Sequence, residues 1–339
     1  MTFPTALSAA GDEDTPVHVD RLSGTNRYET AALISEQFPD GVDTVYLANG
    51  EDWAQGADAV VAGAAAGSGT APPLITDPSG NPAPILLTRA TGLPGPTLGA
   101  LAELQPTSVI ILGGPAVVLP VVDEQLLAAD IVPIRLFGKN RYGTAALLTT
   151  TFAPGFETVY IATGQPTIPK YPHPPMMPDA LTASARAGAE GAPVLLTRQG
   201  SLPGETRAAL ELMDPPSITI VGGIGSVSDQ VAHELSQFAP VTRISGNTRY
   251  ATAAALSGSA PPGGPRAYLA SGEYFADSLS VSALAASEGA PLLLSRYADL
   301  PGPTAQALTS LDPHAVRLIG GTFMLEDQLI GRIRDLLTP

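Results

Sequence analysis

Cysteine is absent from this 339-residue chain, which excludes disulfides, thiolate nucleophiles and cysteine-ligated metals without fixing the compartment. Positive charge is scarce. The 17 Lys+Arg face 32 Asp+Glu, only two of the 17 are lysines, and the net charge is −15. A broad phosphate-neutralising surface is thereby excluded, and with it nucleic acid as a general partner, although a local arginine cluster stays compatible with that balance. No apolar run reaches the ~18 residues of a membrane-spanning helix, so no membrane insertion is expected. Catalytic signatures are also missing. There is no HExxH, no GxSxG elbow, no Walker A loop and no EF-hand, and His18, His173, His233 and His314 share no repeat position. Gly223-Ile224-Gly225 begins like a dinucleotide fingerprint, but Ser228 stands where its third glycine belongs and the other copies lack the pattern. No catalytic residue, metal or cofactor is expected.

What the chain has is repetition. Arg21-Leu22-Ser23-Gly24-Thr25-Asn26-Arg27-Tyr28 returns as Arg135-Leu136-Phe137-Gly138-Lys139-Asn140-Arg141-Tyr142, and again as Arg243-Ile244-Ser245-Gly246-Asn247-Thr248-Arg249-Tyr250. Leu86-Leu87-Thr88-Arg89 returns as Leu195-Leu196-Thr197-Arg198 and Leu293-Leu294-Ser295-Arg296, each followed by Leu-Pro-Gly. A Gly-Gly pair stands 24 residues after each of those arginines: Gly113-Gly114, Gly222-Gly223 and Gly320-Gly321. Three homologous domains follow: repeat 1 over 17–130, repeat 2 over 131–238 and repeat 3 over 239–339. Residues 1–16 are expected to be a disordered leader or the remnant of an export signal. Prolines crowd the inserted stretches Pro72–Pro84 and Pro166–Pro178, which read as surface loops.

Within a copy, apolar runs such as Thr44–Leu47, Ile85–Leu87 and Val109–Leu112 alternate with Ala/Leu-rich stretches expected to be helical: Tyr28–Phe38, Asp58–Ala66, Pro94–Leu104 and Pro120–Ala128. Near-continuous apolar strands between helices imply an α/β unit, a small parallel sheet with helices on both faces.

The motifs together resemble the cell wall-binding repeat 2 family, found in surface proteins of Gram-positive-type envelopes, over roughly residues 17–337. The resemblance implies three tandem Rossmann-like domains acting as one exported anchoring module, non-covalently attached to an anionic cell-wall polymer or secondary wall polysaccharide. The long insertion in repeat 2 departs from the pattern, and no catalytic or effector domain accompanies the repeats in this sequence. Short linkers and the likeness together predict a compact pseudo-threefold arrangement.

Nine of the 17 cations occupy three repeated positions: Arg21/Arg135/Arg243, Arg27/Arg141/Arg249 and Arg89/Arg198/Arg296. Guanidinium grips carboxylate or phosphate with two parallel hydrogen bonds, so these nine are the candidate ligand-binding residues, the Arg27 set foremost. The structural alternative is an ion pair with the recurring Asp58, Asp179 and Asp277, or a contact between repeats. Those aspartates are expected to cap or charge the following helix. Tyr28, Tyr142 and Tyr250 are expected to bury their rings. The Gly-Gly pairs either let a ligand approach or make tight turns. Two rival readings are a surface-assembly module whose motifs serve domain packing, and a small-molecule-binding α/β enzyme.

Overall fold

The computed structural model describes residues 17–51, 53–70, 80–166 and 176–338. The expected leader, His173 and most of both proline-rich insertions therefore lie outside the described residues.

Twelve strands among those residues form three four-stranded parallel sheets. The first sheet is built from β2 (Thr44–Asn49), β3 (Ile85–Thr88), β4 (Ser108–Leu112) and β5 (Val132–Leu136), ordered β3-β2-β4-β5, where β1 is His18–Leu22. The second holds β6 (Val159–Thr163), β7 (Val194–Thr197), β8 (Ile218–Val221) and β9 (Val241–Ile244), ordered β7-β6-β8-β9. The third combines β10 (Ala267–Ser271), β11 (Leu292–Ser295) and β12 (Ala315–Ile319) with β1, ordered β1-β12-β10-β11. Strands such as Val109–Leu112 and Leu292–Leu294 are buried along their whole length, as two-sided helix cover requires.

The strand that opens each repeat is donated to the sheet of the repeat before it. β5 pairs with β4 and β9 with β8, and β1 pairs with β12 in the register His18↔Ala315 to Leu22↔Ile319. Sequence repeat and sheet are thus out of step by one strand. Because β1 returns to the last sheet, the three units close into a ring around an approximate threefold axis.

The axis is made by equivalent helices, Ala62–Gly67, Pro178–Ala189 and Ala276–Ser287, each packed on both others. Small residues make this possible. Ala64, Ala183, Ser184, Ser282 and Ala283 are fully buried or nearly so, and a Cβ on Gly63 would stand 2.1 Å from Ser282 Oγ. In repeat 1 the helix expected over Asp58–Ala66 is broken into Trp53–Gly56, a 3-10 turn at Ala57–Ala59 and the axial Ala62–Gly67. Glycine content and the β-branched Val60-Val61 step weaken a continuous helix here. Ser184 from repeat 2 accepts the Ala64 N–H at 2.8 Å, satisfying an amide at the first turn of the shortened helix.

Candidate functional site

Each Arg-Tyr pair stands at the start of a helix capped by the preceding residue. Asn26 accepts the N–H of Tyr28 and Glu29, Asn140 those of Tyr142 and Gly143, and Thr248 that of Ala251. The glycine three residues before each arginine lies against that first turn. A Cβ on Gly24, Gly138 or Gly246 would come within 2.4, 2.4 or 2.3 Å of it. Thr30, Thr144 and Thr252 tie the two together, each hydroxyl accepting the glycine N–H at 3.0–3.1 Å. These threonines, two residues after every tyrosine, were legible as a repeat yet were not among the candidates.

The three arginine sets do different things. Arg21, Arg135 and Arg243 lie on the donated strands and bond the carbonyl of the first Gly-Gly residue in the sheet they complete, at 2.6 Å (Gly320), 3.2 Å (Gly113) and 2.8 Å (Gly222). They also pair with Asp327, Asp123 and Asp229. These are not the aspartates foreseen as partners. Arg27, Arg141 and Arg249 donate to the carbonyl of the glycine ending the second strand of their repeat: Gly50 at 2.5 Å, Gly164 at 3.0 Å and Gly272 at 2.5 Å. Arg89, Arg198 and Arg296 are exposed and rest on the rings of Tyr28, Tyr142 and Tyr250, with guanidinium carbons 5.6, 4.7 and 5.4 Å from the ring centroids. Such stacking orients the fork at the surface, and Arg296 also donates to Asp299 at 3.3 Å. The tyrosine rings are buried for Tyr142 and Tyr250 and half-buried for Tyr28.

Asp58, Asp179 and Asp277 occupy first turns, but the cap positions before the helices of the latter two are Met177 and Phe275, and neither helix has a side-chain cap bond. They charge the helix start and do not cap it. Each carboxylate instead lies by the first Gly-Gly residue of its own repeat. These glycines have φ of +121° (Gly113), +111° (Gly222) and +101° (Gly320), and a Cβ on Gly222 or Gly320 would come 2.6 or 2.4 Å from an aspartate oxygen. Both the backbone conformation and the close approach demand glycine there. Gly114, Gly223 and Gly321 continue the turn.

The aspartate of one repeat faces the arginine of the next: Asp58 toward Arg141, Asp179 toward Arg249, and Asp277 toward Arg27 across the ring closure. Burial pushes all three acids up, Asp179 and Asp277 to about 6, and the facing guanidinium opposes it. Clefts open at these junctions. The one between repeats 2 and 3 has about 500 Å³ and is lined by Asp179, Ser226, Arg249, Tyr250, Glu273 and Arg296. The one between repeats 3 and 1 has about 350 Å³ and is lined by Arg27, Glu51, Tyr274, Asp277, Phe323 and Met324. Both fall in the range of small-ligand sites. Among the described residues no cluster of three or more His, Asp or Glu is placed to hold a metal, and no helix is long and apolar enough to cross a membrane.

The model of the family "Cell wall binding domain 2 (CWB2)" matches residues 21–123, 135–232 and 243–330. Among curated proteins the chain is 27% identical over 317 residues to the N-acetylmuramoyl-L-alanine amidase LytC of Bacillus subtilis (strain 168), covering 94% of this chain and 58% of LytC. It is 25% identical over 316 residues to the amidase enhancer of the same organism, covering 93% of this chain and 40% of the enhancer. Among solved structures, Cwp6 from Clostridium difficile superposes with a TM-score of 0.81 at 25% identity, covering 99% of this chain and 51% of that one. Cwp8 from the same organism gives 0.76 at 26% identity, covering 95% and 52%. The chain thus spans about half the length of these relatives.

Proposed function

This chain belongs to the Cell wall binding domain 2 family in all three of its repeats, and from that premise we propose that it is a non-catalytic anchoring module holding an anionic cell-wall polymer non-covalently at the surface of an exporting cell. The observation that carries this reading is the threefold recurrence of an exposed guanidinium stacked on a helix-start tyrosine (Arg89, Arg198, Arg296). Beside each lies an inter-repeat junction carrying Arg27, Arg141 or Arg249. A polymer with regularly spaced acidic groups meets three such places at once. Individually weak contacts then reinforce one another through effective concentration. Arg21, Arg135 and Arg243 fall outside this binding role, since each is bonded to a loop carbonyl, paired with a local aspartate and largely turned away from solvent. They serve the domain-packing reading instead.

With a net charge of −15, long-range attraction to a polyanion is unfavourable, so specificity rests on short-range guanidinium contacts. Co-sedimentation with purified wall sacculi tests the proposal. The protein should pellet with intact walls and stay in solution once the accessory polymer is stripped. Equal sedimentation with stripped and intact walls would refute it.

A further inference from the structure

The three junctions are alike in backbone and differ in chemistry at one loop. Four residues after the first glycine of each Gly-Gly pair stand Val117, Ser226 and Met324, and three residues after it stand Ala116, Gly225 and Phe323. At the junction of repeats 2 and 3, Ser226 donates to Asp179 at 3.1 Å. At the junction of repeats 1 and 2, Thr144 donates to Asp58 at 3.3 Å. At the ring closure neither device operates. Asp277 is 7% exposed and its Oδ1 has no hydrogen-bond partner, while Met324 takes the place of the serine and Phe323 stands beside it 87% exposed.

Phe323, on the lip of a formed cleft, offers an open ring face to whatever enters it. Charge narrows the partner's chemistry. The charged residues lining this cleft are Arg27 against Asp277 and Glu51, with Tyr274 beside them, whereas the cleft of repeats 2 and 3 balances Arg249 and Arg296 against Asp179 and Glu273, with Tyr250 beside them. With one guanidinium against two carboxylates, the interior of this cleft suits phosphate or carboxylate less well than the cleft of repeats 2 and 3 does. A ring with an apolar C–H face and hydroxyls around its edge suits this cleft, because the C–H face lies on the aromatic face and hydroxyls donate to carboxylate oxygens.

We infer that the junction of repeats 3 and 1 is an uncharged-sugar subsite, in which Phe323 stacks on a pyranose ring of the wall polymer while Asp277 and Glu51 accept hydrogen bonds from its hydroxyls. This rests on the wall-binding reading and assigns one cleft to the polymer's neutral sugar, leaving its acidic groups to the exposed arginines.

The probe is the mixture of neutral oligosaccharide units released from the producing organism's walls by hydrofluoric acid, which cleaves phosphodiesters. Titration calorimetry of the full chain should show binding that weakens roughly tenfold in Phe323→Ala and is retained in Phe323→Trp. Ile224→Ala, which removes an apolar side chain 64% exposed on the equivalent loop of repeat 2, should leave it unchanged. Equal binding by Phe323→Ala, or no binding of the neutral units by a protein that still pellets with intact walls, overturns the subsite and spares the anchoring function. Failure to pellet with intact walls overturns the anchoring reading itself, and the subsite with it.

Discussion

The axis and the rim of this ring are built from the same three repeats under opposite rules. At the axis, Gly63, Gly67, Gly188 and their alanine and serine neighbours bring helix backbones together, and a methyl group has no room. At the rim, arginines, aspartates and open clefts meet solvent. Repetition therefore preserves two separate things: a packing solution that tolerates only small side chains, and a polar arrangement whose members differ from copy to copy. The axis holds the three sheets together, and the rim carries the three junctions between them.

The sharpest way to break the contrast is at the axis. A Cβ on Gly67 would stand 2.3 Å from Ala286 Cβ and 2.5 Å from the carbonyl of Ala283. Gly67→Val should cost at least about 3 kcal/mol of unfolding free energy, since two helix backbones must separate to admit it. Urea denaturation measures this, and small-angle scattering should show the ring loosening. Gly95→Ala is the control, because open space surrounds that position.

Next in size is the charge buried at the rim. Asp277 is pushed up to about 6 from 3.8, so the folded state holds a proton that the unfolded state releases. Stability contributed this way is full below about pH 3.8 and is lost as the pH rises through about 6, by on the order of 3 kcal/mol. Asp277→Asn should remove that slope. The expected result is a variant close to wild type in denaturation midpoint at pH 4 and more stable than wild type at pH 7. An unchanged pH profile would show that the carboxylate is better solvated than its burial indicates.

How much of this was legible beforehand follows from the same contrast. The repeats, the alternating elements and the parallel sheets could be read because buried strands and helix faces write periodic apolar patterns, as in Val109–Leu112. Strand donation could not be read. His18–Leu22 has the same residues whether it pairs with β2 of its own repeat or with β12 at the far end of the chain. The pattern records that a strand is buried, not which neighbour buries it. The arginine positions stood out, but their roles did not, because a guanidinium serves a backbone carbonyl or a ligand equally well. Only geometry separates Arg21, held by Gly320 and Leu325, from Arg89, exposed on Tyr28. The break in the first axial helix was only faintly written, since the Val60-Val61 step and Gly63 sit within an alanine-rich run, and the Ser184 hydroxyl that accepts the Ala64 N–H comes from another repeat.

The comparison is sharpened further by exchanging geometry for charge at the rim. Replacing Arg89, Arg198 and Arg296 together by lysine keeps three positive charges and removes three planar forks. Each lost bidentate contact is worth about 1.5–3 kcal/mol, so wall affinity should fall roughly tenfold to a hundredfold per engaged site. The fold should survive, because these side chains are exposed. Sedimentation at several salt concentrations, with the melting temperature followed in parallel, checks both statements. The Arg27, Arg141, Arg249 triple-lysine protein serves as the inner comparison. If it binds walls as the wild type does, the ligand contact belongs to the stacked arginines alone.

The smallest effect lies in one hydroxyl, and it tests whether the junctions are chemically interchangeable. Ser226 donates to Asp179 at 3.1 Å, and this bond lowers an acid that burial has raised to about 6. Ser226→Ala would leave Asp179 without that donor, a condition closer to that of Asp277. Above the folded-state value the carboxylate is ionised and loses a charge-assisted bond, so stability at pH 7.5 should fall by about 1 kcal/mol. Below it the acid is protonated, and burying its neutral form carries little penalty, so at pH 4.5 the loss should shrink to a few tenths of that. Thermal melts at the two pH values read the difference. A loss equal at both pH values would mean that the Ser226 hydroxyl does not act through the ionised Asp179 carboxylate. In that event the difference between the two clefts would rest on Phe323 and the lining charges alone.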